Sequence, residues 1–269
     1  MKYMCGLLVC LFLALPVLPA SAAAPVAKPG GETYRLVLLR HGESVWNKEN
    51  RFTGWADVPL TEKGMVGAFK AGELMKKEGL SFDEVHTSYL GRAIKTAWLA
   101  LEALDTMWIP VHVDWRLNER SYGDLEGKTR EEVTAASGAE QVKIWRRSFD
   151  VPPPPLADDD PRSPVRDSRY RAIPRDQIPR AESLKDVIAR SQPYWDSVLV
   201  PAIRSGRNIM VVGHSTALRA LSKCIDPDLD ETALQKLEIP NSTPIIYILD
   251  AHLKPISRTV LGKEEGKKK

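Results

Sequence analysis

The chain has 269 residues, enough for one large domain or two small ones with a sizeable core. The formal net charge is only +3, and the C-terminal stretch KEEGKKK carries much of it. No basic stripe with interleaved aromatic residues appears elsewhere, which argues against nucleic acid as a partner.

The N-terminal residues have the layout of a secretory signal. One early lysine, an apolar run and the sequence Ala20-Ser21-Ala22 predict a signal peptide at 1–23, followed by a flexible lead-in at 24–32. The alternative is a retained membrane anchor, but Pro16 and Pro19 interrupt the run, which is short for a spanning helix. We expect a secretory or extracytoplasmic protein that is free of the membrane once the signal is removed. The alternative compartment is the cytoplasm, if the segment is not used.

Strands and helices alternate from Tyr34 onwards. Thr61 and Gly79 are placed to begin and end a helix, and Thr129 and Glu132 stand in capping-box register. The predicted strands are YRLVLL, DEVHTS, IPVHVD, RNIMVVGH, PIIYILD and KPISRTVLG, and the last two are expected to pair at an edge. The predicted helices follow Thr61, Tyr89, Thr129, Gly138, Glu182 and His214, and the one after Glu182 is expected to kink or break at its prolines.

This alternation predicts an α/β fold, a mostly parallel sheet with helices on both faces. We place one catalytic domain at 33–262, which contains a long ordered proline-rich loop at 151–180, and a solvated basic tail at 263–269. After signal removal Cys224 would be the only cysteine, which excludes an intrachain disulfide. Its amphipathic sequence context predicts that it is buried.

Two histidines follow predicted strands at the point where each strand ends. His41 stands in Arg-His-Gly after the first strand, and His214 in Gly-His-Ser after the fourth. Ligands of such sheets gather at the carboxyl ends of the strands, so we expect the two imidazoles to meet there. A single histidine after a strand is more often structural, but two in equivalent places favour catalysis.

A neutral imidazole can attack phosphorus and form a phosphohistidine, provided that a hydrogen bond to its other nitrogen fixes the tautomer. The backbone carbonyl of Gly42 is a candidate for that bond. The charge on a transferring phosphoryl group requires cations, for which Arg40, Arg92 and His214 are candidates. The metal-binding spacings HxH, HExxH and CxxC are absent, so we predict no metal.

A phosphoryl transfer of this kind also needs a proton carrier. Glu119 lies in a loop after the third strand, beside Arg116 and Arg120, and a nearby phosphate would favour its protonated form. The alternative interpretation is a surface salt bridge between Glu119 and one of these arginines.

Five segments carry a resemblance to a known family. They are LLRHGESVWNKENRFTGWADVPLTEKG, SYLGRAIKTA, WRLNERSYGDLEG, AEQVKIWRRSFDVPPPP and GHSTALRALSK. Together they resemble the 2,3-bisphosphoglycerate-dependent phosphoglycerate mutases of the histidine phosphatase superfamily, from about Tyr34 to Gly262. The resemblance implies a three-layer sandwich in which His41 is the phosphorylated nucleophile and Glu119 the proton donor and acceptor, while Arg40, Arg92 and His214 surround the phosphoryl group.

The resemblance also implies how a small phosphorylated acid is bound. Arg146 and Arg147 would hold its carboxylate and second phosphate, although from the residues alone they could be a solvated helix end. The remaining positions implied to bind substrate are Asn47, Thr53, Gly54, Arg120, Tyr122, Arg130, Ser215 and Thr216. The implied primer is 2,3-bisphosphoglycerate, and a homodimer or tetramer is possible by family analogy.

Several positions depart from the family pattern. Ser215-Thr216 stands where the family has Gly-Asn, Arg130 replaces a lysine, and Asn241-Ser242 replaces Thr-Gly. Asn241 also begins a glycosylation sequon, which we expect to be unused because Pro244 follows it. These changes affect the pocket around the acceptor more than the phosphohistidine chemistry.

Three functions stay open at this point. The first is the interconversion of 3-phosphoglycerate and 2-phosphoglycerate. The second is hydrolysis of small phosphate esters, which a secretory signal favours because glycolysis is not expected outside the cytoplasm. The third is a non-catalytic phosphoglycerate-binding protein, which the altered Ser215-Thr216 could motivate.

Overall fold

A computed structural model describes residues 33–157 and 159–262. The predicted signal peptide, the lead-in and the basic tail lie outside the described residues. Six strands form one sheet in the order β3-β2-β4-β1-β5-β6. The strands are β1 (Tyr34–Arg40), β2 (Glu84–Thr87), β3 (Val111–Val113), β4 (Ile209–Gly213), β5 (Pro244–Leu249) and β6 (Pro255–Val260).

Strands β3, β2, β4 and β1 run parallel to one another, whereas β5 and β6 join the sheet through antiparallel pairing. β1 pairs in parallel with β4, where Arg40 lies opposite Gly213, and β2 pairs in parallel with both β4 and β3. β5 runs antiparallel to β1 and to β6, as expected for an edge pair. The predicted α/β architecture is therefore confirmed, with the first and fourth predicted strands adjacent at the centre of the sheet.

Nine α-helices flank the sheet in the described part of the chain. They are α1 (Val45–Lys48), α2 (Glu62–Lys77), α3 (Gly91–Ala103), α4 (Arg130–Ser137), α5 (Ala139–Arg147), α6 (Leu184–Tyr194), α7 (Val200–Arg204), α8 (Ser215–Ile225) and α9 (Glu231–Lys236). Thr61 caps α2, and Thr129 and Glu132 form the capping box of α4, as predicted. The helix predicted to kink or break at its prolines is divided between them: Pro193 lies inside α6, a π-helical turn, Trp195–Leu199, follows, and Pro201 lies in the first turn of α7.

Helices cover both faces of the sheet because neighbouring residues of each strand point to opposite sides. Leu36 and Leu38 of β1 pack with α6, α7 and α8 on one face. Val37 and Leu39 pack with α2 and α3 on the other face. The result is a three-layer sandwich, which leaves the carboxyl ends of the parallel strands as the open edge where side chains can meet a ligand.

The proline-rich loop, apart from its undescribed position 158, contains three short 3₁₀ turns, and Tyr170 in it is buried against Trp55. Cys224 is buried in the α8 layer. No helix within residues 33–157 and 159–262 has the length and apolar character that crossing a membrane requires.

Candidate active site

His41 follows directly after β1, and its own N–H continues the ladder to Gly213 at 2.9 Å. Its Nδ1 lies 2.6 Å from the carbonyl oxygen of Gly42. A carbonyl only accepts, so Nδ1 carries the proton and Nε2 keeps a free lone pair. The hydrogen bond predicted to fix the tautomer of His41 is thus present.

The neutral form of His41 is favoured by its surroundings. Burial first, and then the charges of Arg92 and Arg40, hold its pKa well below the ordinary value for histidine. Near neutral pH the imidazole is therefore unprotonated and nucleophilic.

His214 follows β4 and lies against His41, with 5.0 Å between the ring centroids. Its Nε2 is 2.8 Å from Ser88 Oγ, and the same oxygen accepts a hydrogen bond from the Leu90 N–H. The Ser88 hydroxyl hydrogen can then be donated to Nε2, in the tautomer that carries the His214 proton on Nδ1. This Nδ1 is buried and has no hydrogen-bond partner in the described part of the protein. It is available to donate to a phosphoryl oxygen.

Arg92 enters the site from the first turn of α3 and is fully buried. Its two terminal nitrogens donate to the carbonyl oxygens of Gly54 and Ala56, each at 2.8 Å. Burial lowers its pKa to about 10, so the guanidinium remains charged at neutral pH. Arg40 is anchored by one terminal nitrogen on the carbonyl of Ile239 at 2.8 Å. Both arginines keep a buried Nε without a partner among the described residues.

Glu126 holds the loop that fixes Arg92. One carboxylate oxygen accepts hydrogen bonds from the backbone N–H groups of Trp55 at 3.1 Å and Tyr122 at 3.0 Å. Gly54 in that loop has a φ of +54°, and a Cβ there would lie 1.9 Å from the same Glu126 oxygen. Only glycine fits this position. Sequence reasoning named Gly54 but missed Glu126, which no motif singles out.

Glu119 reaches the site from the loop after β3, and only 8% of it is exposed. Its Oε1 accepts hydrogen bonds from the backbone N–H groups of Arg120 at 2.8 Å and Thr216 at 3.1 Å. The alternative, a surface salt bridge, does not fit this geometry. Arg116 pairs with Asp114 instead, and the guanidinium of Arg120 lies over the ring of Tyr122.

The loop carrying Glu119 is held by a buried ion pair that the sequence did not reveal. Arg190 of α6 pairs with Glu182 at 2.7 Å, and both side chains are buried. Glu182 in turn accepts a hydrogen bond from the Ser121 N–H at 2.8 Å, and Arg190 donates to the carbonyl oxygens of Arg116 and Asn118. The position of Glu119, the candidate general acid, is thus fixed by main-chain hydrogen bonds and by this ion pair.

Arg40, His41, Arg92 and Glu119 line a cleft of about 230 Å³. His214 lies against His41 but is itself fully buried and does not line the cleft. Most of the predicted substrate-binding residues line it, which brings together Asn47, Thr53, Gly54, Tyr122, Arg130, Arg146, Arg147, Ser215 and Thr216. Arg120 does not line this cleft and instead borders a small adjoining space with Arg146 and Arg147. Arg51, Phe52 and Arg219 also line the cleft, although sequence reasoning did not assign them to it. Because seven arginines line the cleft, its contents must be anionic.

Asn241, in the segment before β5 that departs from the family pattern, hydrogen-bonds to the main chain of the candidate nucleophile His41. Its Nδ2 donates to the carbonyl oxygen of His41 at 2.7 Å, and the Ser242 N–H donates to that of Arg40 at 3.0 Å. A glycan on Asn241 would replace a hydrogen of the same Nδ2. That the sequon is unused remains a prediction.

Comparison with known proteins places these features in context. A model of the histidine phosphatase superfamily, branch 1, matches residues 36–166. The chain is 25% identical to mycobacterial glucosyl-3-phosphoglycerate phosphatase, solved in complex with VO3, over 84% of this chain and 97% of that one, with a TM-score of 0.63. It is 26% identical to a phosphoglycerate mutase from Bacillus anthracis str. Sterne, over 86% and 92%, with a TM-score of 0.59. It is 27% identical to YhfR of Bacillus stearothermophilus, over 81% and 92%, with a TM-score of 0.59.

Proposed function

We propose that this chain, whose residues 36–166 match the model of the histidine phosphatase superfamily, interconverts 3-phosphoglycerate and 2-phosphoglycerate through a phosphohistidine on His41. The relatives include phosphatases and a phosphoglycerate mutase, so the superfamily supports phosphoryl transfer and the substrate is our inference.

In the first half of the proposed reaction, the Nε2 lone pair of His41 attacks phosphorus. The bond from phosphorus to the substrate oxygen breaks, and Glu119 gives its proton to that oxygen. The guanidinium groups of Arg40 and Arg92 and the Nδ1–H of His214 balance the charge on the equatorial phosphoryl oxygens.

In the second half, a hydroxyl oxygen of the bound acid attacks the phosphohistidine. Its proton passes to the Glu119 carboxylate, and Nε2 of His41 leaves with its lone pair. 2,3-Bisphosphoglycerate would supply the phosphoryl group that first primes His41. No step calls for a metal ion.

The observation that carries the proposal is the second group of cations in the cleft. Arg40, Arg92 and His214 suffice for one phosphoryl group, yet Arg130, Arg146 and Arg147 also line the cleft. A phosphate ester without a further anionic group leaves these three without a partner, whereas a phosphoglycerate offers them its carboxylate and the bisphosphorylated acid offers a second phosphate as well.

Hydrolysis is the second candidate. The resemblance to glucosyl-3-phosphoglycerate phosphatase supports it, as do Ser215 and Thr216, whose side chains replace the family's Gly-Asn beside the acceptor. Water would then take the place of the second hydroxyl in attacking the phosphohistidine. The non-catalytic candidate has no comparable support, since the nucleophile, acid and cations are all assembled.

The deciding experiment follows both products in one reaction. The full chain is incubated with 3-phosphoglycerate, a trace of 2,3-bisphosphoglycerate and a chelator, and 2-phosphoglycerate and inorganic phosphate are measured. We expect 2-phosphoglycerate to dominate, and a dominance of inorganic phosphate would support hydrolysis instead.

A labelling experiment tests the shared intermediate. Radiolabelled bisphosphoglycerate should leave acid-labile phosphate on the parent and on His252→Ala, an exposed histidine far along the chain, but none on His41→Ala. Turnover by His41→Ala at the parental rate would overturn both catalytic proposals.

A further inference from the structure

A second group of potential ligands lies on the β2–β3 side of the sheet, apart from the cleft. Glu84 and His86 stand two residues apart on β2 and so point to the same face of the sheet. His112 of β3 is the register partner of His86. We call these three side chains the β2–β3 cluster.

The potential metal-ligating atoms of the cluster already lie close together. Glu84 Oε1 lies 3.1 Å from His86 Nε2, and Glu84 Oε2 lies 3.5 Å from His112 Nε2. The three ligand atoms fall within 4.8 Å of one another. Ligands about 2.0–2.2 Å from a tetrahedral zinc ion are roughly 3.3 Å apart, so the two separations that involve Glu84 are compatible with this geometry.

We propose that Glu84, His86 and His112 bind a divalent transition-metal ion, and that Zn²⁺ suits them best. Two imidazoles and one carboxylate form a donor set that zinc accepts, with the fourth position left to water. Mg²⁺ prefers an all-oxygen octahedral shell and should not bind. The cluster makes no use of the cleft residues, so this site does not depend on the proposed function.

The surroundings of His86 are those of a metal ligand. Tyr194 Oη lies 2.7 Å from its Nδ1, and both side chains are buried. Without a metal, Nε2 carries the proton, because the Glu84 carboxylate 3.1 Å away only accepts. Metal binding would move this proton to Nδ1, where the Tyr194 oxygen can accept it, and would free the Nε2 lone pair for the ion. His112 is half exposed and provides access for the ion.

Arg207 is the competitor for this site. Its Nη1 lies 2.6 Å from Glu84 Oε2, although half of the arginine side chain is exposed. Without a metal, the guanidinium neutralises the buried carboxylate. With a metal, it repels the ion and competes for the same oxygen. Removing this charge should therefore strengthen metal binding, whereas a cluster that serves only as an ion-pair network would gain no affinity.

The test is calorimetric titration of the full chain, without a histidine tag and stripped by a chelator, with Zn²⁺ and separately with Mg²⁺. We expect one Zn²⁺ per chain and no Mg²⁺ binding. His112→Ala should weaken Zn²⁺ binding at least tenfold, and Arg207→Gln should strengthen it several-fold. His252→Ala removes an exposed histidine outside the cluster and should bind Zn²⁺ as the parent does.

Two further readouts keep the result independent of catalysis. Co²⁺ in the parent should give the strong visible absorption of a four-coordinate ion, and His112→Ala should lose it. Phosphoryl transfer should be unchanged in His112→Ala. The proposal fails if the parent takes up no Zn²⁺ at micromolar concentrations, or if His112→Ala binds Zn²⁺ as tightly as the parent.

Discussion

At the scale of single residues, Glu119 is a carboxylate positioned by main-chain groups. Glutamine in its place keeps an oxygen for the Arg120 and Thr216 N–H groups but has no proton to give. We expect Glu119→Gln to lower kcat for 3-phosphoglycerate about 10²- to 10⁴-fold. The loss should be much smaller for p-nitrophenyl phosphate, because its phenolate leaves without an acid. Steady-state kinetics with both substrates measure this.

The control for that variant is Glu131→Gln on the exposed side of α4, which should behave as the parent with both substrates. An equal loss of kcat with both substrates in Glu119→Gln would show that Glu119 positions groups and does not transfer the proton.

Glu126 makes the stability of the fold depend on pH. Burial raises the pKa of this carboxyl to about 7, from the ordinary value of 4.5. Between those values the folded state binds more protons than the unfolded state, so the free energy of unfolding falls as pH rises. Glu126→Gln keeps an acceptor oxygen for the Trp55 and Tyr122 N–H groups but does not titrate.

We therefore expect the parent to lose up to roughly 3 kcal/mol relative to Glu126→Gln between pH 4.5 and pH 8. Denaturant unfolding across this range measures the difference, in which His41 and His214 cancel because both proteins contain them. A constant difference across the range would mean that Glu126 does not titrate there.

At the scale of helices and strands, the sequence was sufficient to predict those elements whose pattern lies within one short segment. The apolar runs predicted all six strands, and capping residues predicted the starts of α2 and α4. The parallel pairing of β1 and β4 then brings His41 to His214, as the strand-end rule requires.

Contacts that depend on pairing between distant segments were not predictable in this way. Ser88 reaches His214 only because β2 lies beside β4, and no spacing in the sequence indicates that bond. The β2–β3 cluster escaped a search for metal-binding spacings for the same reason, since strand register brings His112 to His86. Glu182 and Arg190 are only eight residues apart in the sequence, but the role of their ion pair in holding the Glu119 loop depends on how α6 packs.

Helix α5 presents its last turn to the cleft, which gives it a testable part in substrate choice. Arg146 lines the cleft, whereas Lys143 on the same helix is exposed and pairs with Glu140. A charged hydrogen bond contributes about 1.5–3 kcal/mol, so Arg146→Gln should lower kcat/KM for 3-phosphoglycerate about 10- to 100-fold. Hydrolysis of p-nitrophenyl phosphate, which has no second anionic group, should change less than about threefold.

Lys143→Gln is the matched control and should leave both activities unchanged. If Arg146→Gln harms the two substrates equally, α5 supports the fold of the site and does not select a second anionic group.

At the scale of the whole molecule, charge is distributed unevenly. The formal net charge is only +3, yet seven arginines and a single carboxylate line one cleft. Burial first, and then the charge of Arg130, lowers the pKa of Arg146, and Arg147 adds to the effect. The folded protein therefore holds like charges close together, and their mutual repulsion lowers its stability.

An anion in the cleft should relieve this repulsion, so ligand and stability are linked. Inorganic phosphate at 100 times its Kd should raise the free energy of unfolding by about 2.7 kcal/mol, whereas chloride at equal ionic strength should not. Arg130→Gln should be slightly more stable than the parent without phosphate, by a few tenths of a kcal/mol, and should gain less from phosphate. Arg204→Gln removes an exposed arginine of α7 outside the cleft and should respond to phosphate as the parent does. Thermal unfolding of the three proteins in both salts measures these effects. An equal gain from phosphate in Arg130→Gln and the parent would mean that Arg130 takes no part in holding the anion.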